Sequence, residues 1–253
     1  YNDMMSRQSV CFIPHLSDST LISKIWKIYS IHSRTFPKDE GTVIHQGRNE
    51  LRKMEYNGKE YVIKSFHSPH LINRFVYGIF RPSKAKRSYD HAEMLLKIGV
   101  GTPQPVGYMN IRSGLLFDKS YYISLLSTCP YIYDNLFTQQ FDYAEEVFRA
   151  IGKVTARLHE HGYAHKDYGR ANILFQKTPN GITIEIVDLN RMYIGPIDMK
   201  TGCKNFERLP ATPQMHRWMA EEYAKARNFD VEKCFELMRA YRSVQPGKID
   251  NLY

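Results

Sequence analysis

Between residues 49 and 66 apolar and polar positions alternate on either side of Asn57-Gly58. That pair marks a turn, because both residues tolerate the positive φ of a type I′ hairpin. The pattern predicts strands over 49–56 and 59–66. In the second, Val62, Lys64 and Phe66 share one face by the two-residue period, which puts a lysine between two apolar neighbours. An edge lysine that snorkels to water would satisfy this pattern by itself. Residues 83–98 carry helical spacing instead, with Tyr89, Ala92, Leu95 and Leu96 apolar and Glu93 among them. Pro103 and Pro105 break the chain, and 108–110, 114–117 and 121–126 read as short strands. The clearest helix is 142–161. Asp142 and Glu145 offer a capping box, Val147, Ile151, Val154 and Leu158 form one stripe, and Gly162 is a stop. A short helix is expected over 18–33, a loop over 195–210, and two helices over 212–242.

Strands therefore come first and helices later, with one more hairpin between, which is an α+β layout. The change falls near residues 126–140, a candidate hinge. The length of 253 residues suits one large domain or two lobes, at about 150 residues per domain. With 43% hydrophobic and 13% aromatic residues the chain buries a core, which excludes a wholly disordered or collagen-like protein. The net charge of +9 favours anionic partners: a nucleotide, a phosphorylated glycan, nucleic acid or an anionic membrane face. No nucleic-acid motif accompanies the charge, so no nucleic-acid partner is expected. Four scattered cysteines without a CxxC fit free thiols in a reducing compartment. No run of 18 apolar residues suggests a spanning helix.

Chemistry concentrates after Gly162. The run His165-Lys166-Asp167-Tyr168-Gly169-Arg170-Ala171-Asn172 leads into a strand over 173–175, a turn at Thr178-Pro179-Asn180-Gly181 and a strand over 182–187. Asn172 and Asp188 each stand eight positions from Asn180. A hairpin folded about Asn180 brings both to its open end, with Asp167 just before them. Such oxygen donors suit a hard ion, and Mg²⁺ takes a few of them plus phosphate oxygens and water. Each residue alone also fits a turn or cap. His159, His161 and His165 lack the spacing of a helical zinc site, and His165 reads as a support for the loop.

His165-Lys166-Asp167 followed by Asn172 resembles the H-R-D-x-x-x-x-N catalytic loop of protein-kinase-like enzymes, and Asp188 falls where their D-F-G aspartate stands. Tyr61-Val62-Ile63-Lys64 resembles their V-A-I-K strand. Within that superfamily the chain is similar to the bacterial lipopolysaccharide kinases. The similarity lies in Gly47-Arg48-Asn49-Glu50, Lys64-Ser65-Phe66, Leu71-Ile72-Asn73-Arg74 and 83–89, in His165-Lys166-Asp167-Tyr168-Gly169 and in 186–192.

The resemblance implies a bilobal protein-kinase-like fold: an extension with a helix (1–40), a small sheet-rich N-lobe (41–128) and a reduced helical C-lobe (129–253). It implies ATP-dependent transfer to a Kdo or heptose hydroxyl of the lipopolysaccharide inner core, with ATP and Mg²⁺ as cofactors. Asp167 is then the catalytic carboxylate. Lys64, Glu93 and Gly47 serve the nucleotide, and Asn172 and Asp188 hold the metal. The place implied is the cytoplasm, peripherally at the inner face of the bacterial inner membrane. Arg74 and the basic run Arg81-Pro82-Ser83-Lys84-Ala85-Lys86-Arg87 would face anionic lipid, although a solvated helix start is the plainer reading. Phe75, Tyr77 and Phe80 read as core or as a glycolipid contact.

The chain also departs from the superfamily. It has no G-x-G-x-x-G, no Phe or Gly after Asp188, no A-P-E, and Gly169 where protein kinases often carry a lysine. Lys166 or Arg170 could supply that charge. A kinase for another small molecule or a protein, and a nucleotide-binding pseudokinase, stay open on these grounds.

Overall fold

The structure, a computed structural model, describes residues 42–46, 49–66, 82–113 and 116–242. The expected helix at 18–33, Gly47, Arg74, Arg81 and the aromatics at 75, 77 and 80 lie outside these residues. The described residues fall into two compact units. One takes those up to Ala92 together with Gln104–Leu126; the other takes Glu93–Pro103 and those from Ser127 onward.

The first unit is a five-stranded antiparallel sheet of order β1-β2-β3-β5-β4. Its strands are β1 (Thr42–Gln46), β2 (Asn49–Tyr56), β3 (Lys59–Phe66), β4 (Pro105–Ser113) and β5 (Leu116–Leu125). The β2–β3 hairpin forms in the register set by its turn, Tyr56 opposite Lys59 and Asn49 opposite Phe66. Asn57 (φ 51°) and Gly58 (φ 72°) supply the left-handed turn. One sheet face buries Met54, Tyr61, Ile63, Met109, Tyr121 and Ile123. On the other, Phe66 and Tyr108 pack with Ala85 and Tyr89 of α1 (Lys84–Lys97). Each side chain as buried as Ile63 or Ile123 contributes roughly 1.5–3 kcal/mol. Ser83 starts α1, its Oγ accepting the Lys86 N–H at 3.0 Å. Lys86 also pairs with Asp90 one turn on, both side chains exposed, which agrees with a solvated helix start.

The three short strands expected after Pro103 are two long ones. Of the residues 114–117 expected as a strand of their own, 114 and 115 lie outside the described residues, while 116 and 117 belong to β5, whose first residue, Leu116, stands opposite Ser113 at the end of β4. Backbone pairing across the sheet outweighs the weak local pattern there.

The second unit is built around α3 (Ala144–Glu160), against which α5 (Pro213–Arg227) packs. The approach is close: a Cβ on Gly152 would lie 2.5 Å from the Met219 carbonyl oxygen. Val147, Phe148, Ile151 and Leu158 of α3 are fully buried. The capping box expected at Asp142 is not formed. Tyr143 is the N-cap, without a side-chain cap bond, and the helix begins at Ala144. Two short elements precede it, β6 (Tyr131–Ile132) and α2 (Asn135–Thr138). After it come β7 (Tyr163–His165), β8 (Ile173–Thr178), β9 (Gly181–Ile186) and β10 (Met192–Ile194), paired as β6-β8-β9 and β10-β7.

The loop expected over 195–210 contains a helix, α4 (Met199–Lys204), started by the Asp198 side chain accepting from the Thr201 N–H at 2.7 Å. The last two helices are α5, capped by Thr212, and α6 (Val231–Tyr241), capped by Asp230. Among the described residues no helix is long and apolar enough to cross a membrane.

Candidate active site

The run from His165 to Asn172 is held from three sides. Gly162 (φ 76°) ends α3 in the left-handed region and turns the chain directly into β7. There His165 pairs with Met192 of β10, and the Lys166 N–H reaches the Arg191 carbonyl at 3.0 Å. Tyr168 is buried, its hydroxyl 2.8 Å from Thr155 Oγ1 of α3; Thr155 donates to the Ile151 carbonyl and so accepts from Tyr168.

His165 ties the loop to the segment carrying Asp188. Its Nδ1 accepts the Asp167 N–H at 3.1 Å, which leaves the proton on Nε2 to be shared between the carbonyls of Val187 and Asp188, each at 3.1 Å. Burial holds this imidazole below its ordinary pKa, so it serves as a neutral strut. The support role read from the sequence is therefore what the geometry supplies.

The second hairpin has Thr178 opposite Gly181, so its centre falls between Pro179 and Asn180 rather than on Asn180. Asn172 consequently faces Val187, whose N–H it accepts at 3.0 Å, and Asp188 is one residue further on. At Asp188 the backbone turns left-handed (φ 62°), out of the line of β9. Asn172 spends its Nδ2 on the Asp167 carbonyl at 2.9 Å, a bond that does not use its Oδ1. Asn190 Nδ2 donates to Asp188 Oδ1. The second unit thus brings Asp167, Asn172 and Asp188 together at one hairpin mouth.

Among the described residues no cluster of three or more His, Cys, Asp or Glu could hold a metal alone. One carboxylate and one amide oxygen suit a hard ion that completes its shell with phosphate oxygens and water, so the donor set fits Mg²⁺. Lys64 stands on β3 in the first unit, half-buried, its Nζ 5.3 Å from the centre of the Phe66 ring. Glu93 is half-buried on the part of α1 that belongs to the second unit. Gly47 lies outside the described residues.

Two residues that the spacing did not suggest reach Asp167. Arg191 Nη1 and Arg208 Nη1 each lie 3.2 Å from its Oδ1. They stand 24 and 41 positions away, from the turn before β10 and the segment after α4. Neither Lys166 nor Arg170 does this: Lys166 is exposed, and Arg170 pairs with Asp134 at 3.1 Å.

Behind the loop runs a buried polar chain. Tyr223 of α5 donates to His159 Nδ1 (2.9 Å), His159 Nε2 donates to Asn205 Oδ1 (3.0 Å), and Asn205 Nδ2 donates to the His165 carbonyl (2.9 Å). Burial pushes the His159 imidazole down to about 4, and His216, flanked by Arg239 and Arg242, to about 4 as well. Both are neutral in the folded state, whereas the unfolded chain takes up their protons below about 6.5. Their contribution is therefore complete above pH 6.5 and is lost as pH falls toward 4. Urea unfolding is expected to show a loss of about 3–4 kcal/mol between pH 7 and 5 for the pair. A midpoint unchanged over that interval contradicts this account.

A protein-family model described as the lipopolysaccharide kinase (Kdo/WaaP) family matches residues 39–241. No curated protein matches the chain in sequence. Among solved structures, "WaaP in complex with acyl carrier protein" is similar with a TM-score of 0.56 at 14% identity, over 80% of this chain and 86% of that one. The Rio2 kinase–ADP/Mg²⁺–phosphoaspartate complex from Chaetomium thermophilum gives 0.46 at 16% identity, over 90% and 61% of the two chains. The bifunctional kinase-methyltransferase WbdD gives 0.48 at 14% identity, over 79% and 45%. The fold is protein-kinase-like, and the chain belongs to the lipopolysaccharide kinase (Kdo/WaaP) family, ATP-dependent kinases that phosphorylate a sugar hydroxyl.

Proposed function

We propose that this chain transfers the γ-phosphoryl group of ATP to a hydroxyl of Kdo or heptose in the lipopolysaccharide inner core. The observation that carries the reading is the meeting of Asp167, Asn172 and Asp188 at one hairpin mouth, locked there by His165. Phosphoryl transfer needs positioning and charge neutralisation more than covalent chemistry. When bound, Mg²⁺ would supply charge neutralisation on the phosphate oxygens. Asn172 Oδ1 and the Asp188 carboxylate would hold it. Lys64 would contact the α and β phosphates with Glu93 as its ion-pair partner, and Gly47 would border the phosphates. Asp167 accepts a hydrogen bond from the acceptor hydroxyl, orients it in line and takes its proton late. In this reading 41–128 form the N-lobe and 129–253 the C-lobe.

The test is incubation with ATP and Mg²⁺ together with Kdo-lipid A or a heptose-bearing core, followed by mass spectrometry. One added phosphate on the glycan is expected. Phosphate appearing only on proteins or on antibiotic acceptors overturns the assignment. The reading includes a peripheral contact with anionic lipid through Lys84, Lys86 and Arg87. Turnover of the same glycolipid is then faster in anionic than in neutral vesicles, and equal turnover in both removes that contact.

A further inference from the structure

Arg191 and Arg208 converge on one atom. Both bond Asp167 Oδ1, while among the described residues nothing donates to Oδ2. Each contact is made through a single nitrogen rather than a fork, and the two side chains are 59% and 54% exposed. Glu207 Oε1 also lies 4.0 Å from Arg208 Nε. Single-point pairs this open contribute about 0–1 kcal/mol, so stability alone does not account for two of them on one carboxylate. Asp167, Glu207 and Asp188 at the same mouth offset the charges of Arg191, Arg208 and exposed Lys166, so what the two arginines offer an incoming anion is their donor geometry. Each guanidinium has five donors in a planar fork matched to carboxylate and phosphate, and each gives a single nitrogen to Asp167 Oδ1.

We propose that Arg191 and Arg208 form a docking site for an anionic group, a carboxylate or a phosphate, carried by the acceptor glycan next to the hydroxyl that is phosphorylated. The inference rests on the kinase reading and deepens it by naming what the acceptor must carry. The incoming anion takes the fork donors of both arginines and draws them off Oδ1. Asp167 is then left with both oxygens for the hydroxyl. A neutral acceptor gains no such bonds and meets an Asp167 still engaged. The competing role is contact with the transferred phosphoryl group, in place of the lysine that Gly169 does not provide.

Two acceptor pairs separate these roles and identify the anion: a Kdo glycoside against its methyl ester, and a phosphorylated heptose disaccharide against its unphosphorylated form. In the unsubstituted protein kcat/KM is expected to favour the anionic member of at least one pair by about 10- to 100-fold, through KM where the anion adds bonds and through kcat where it frees Asp167. R191Q and R208Q should reduce that ratio toward one, and Arg→Lys should restore part of it. A wild type with no preference overturns the proposal. So do variants that lose equal kcat on charged and neutral acceptors, which is the signature of the phosphoryl-contact role.

Calorimetry with free Kdo and with inorganic phosphate reads the site without turnover. Binding weakened at least tenfold in the R191Q/R208Q double variant supports it, and unchanged or absent binding overturns it. Should no glycan be phosphorylated while this binding behaves as expected, the kinase reading fails and the anion site stands.

Discussion

Asp167→Asn is expected to lower phosphoryl transfer about a thousandfold, within the range for loss of a general base, while ATP affinity stays within a factor of a few. The substitution keeps the size of the side chain, so the loop has no cavity to fill. The backbone bonds that define the loop are made by other atoms: the Asp167 N–H to His165 Nδ1 and its carbonyl from Asn172 Nδ2. What changes is the charge and basicity of the oxygen that, in the proposed reaction, meets the hydroxyl. Arg191 and Arg208 lose their ionic partner but are more than half exposed, so water replaces it and the cost to stability is about 1 kcal/mol or less. Single-turnover phosphorylation and thermal unfolding with and without ATP check both halves. A folded variant keeping most of its turnover removes Asp167 from the mechanism.

The meeting of Asp167 with Asn172 and Asp188 was legible in the sequence because its signal is local. The catalytic loop, its asparagine and the second aspartate follow one another within 24 positions, and a hairpin joins them with little freedom. The same holds for the Asn57-Gly58 hairpin, whose strands form over the expected residues. Legibility failed where the deciding contacts are distant. A two-residue turn at Pro179-Asn180 rather than a turn centred on Asn180 shifts Asn172 from Asp188 to Val187. Helix α4 has six residues with a glycine among them, so it shows no apolar period; Asp198 and the packing of Gly202 and Cys203 decide it. Arg191 and Arg208 come to Asp167 only because β10 pairs with β7 and because Asn205, at the end of α4, is tied to the His165 carbonyl.

The contact that fixes α4 also yields the second large effect, Gly202→Ala. A Cβ at Gly202 would lie 1.9 Å from Tyr223 Oη and 3.1 Å from His159 Nδ1, inside the buried bond between them. The methyl group must expel the tyrosine hydroxyl, which leaves His159 Nδ1 without its donor in a site that water does not reach. Overpacking costs about 1–3 kcal/mol and an orphaned buried acceptor about the same, so a loss of roughly 3–5 kcal/mol is expected. Tyr223→Phe alone removes the hydrogen bond without the clash and should cost less. In the double variant the methyl meets no hydroxyl, although ring carbon Cζ remains at 3.1 Å. The two losses should therefore be sub-additive by about 1–3 kcal/mol, as for residues in direct contact. Urea unfolding of the four proteins closes the cycle. Additive losses would mean that Gly202 is there for some reason other than the approach of Tyr223. Because the chain from Tyr223 through His159 and Asn205 ends on the His165 carbonyl, Gly202→Ala should also slow transfer at temperatures where the protein remains folded. Asp167 then loses the rigidity of its support rather than its charge.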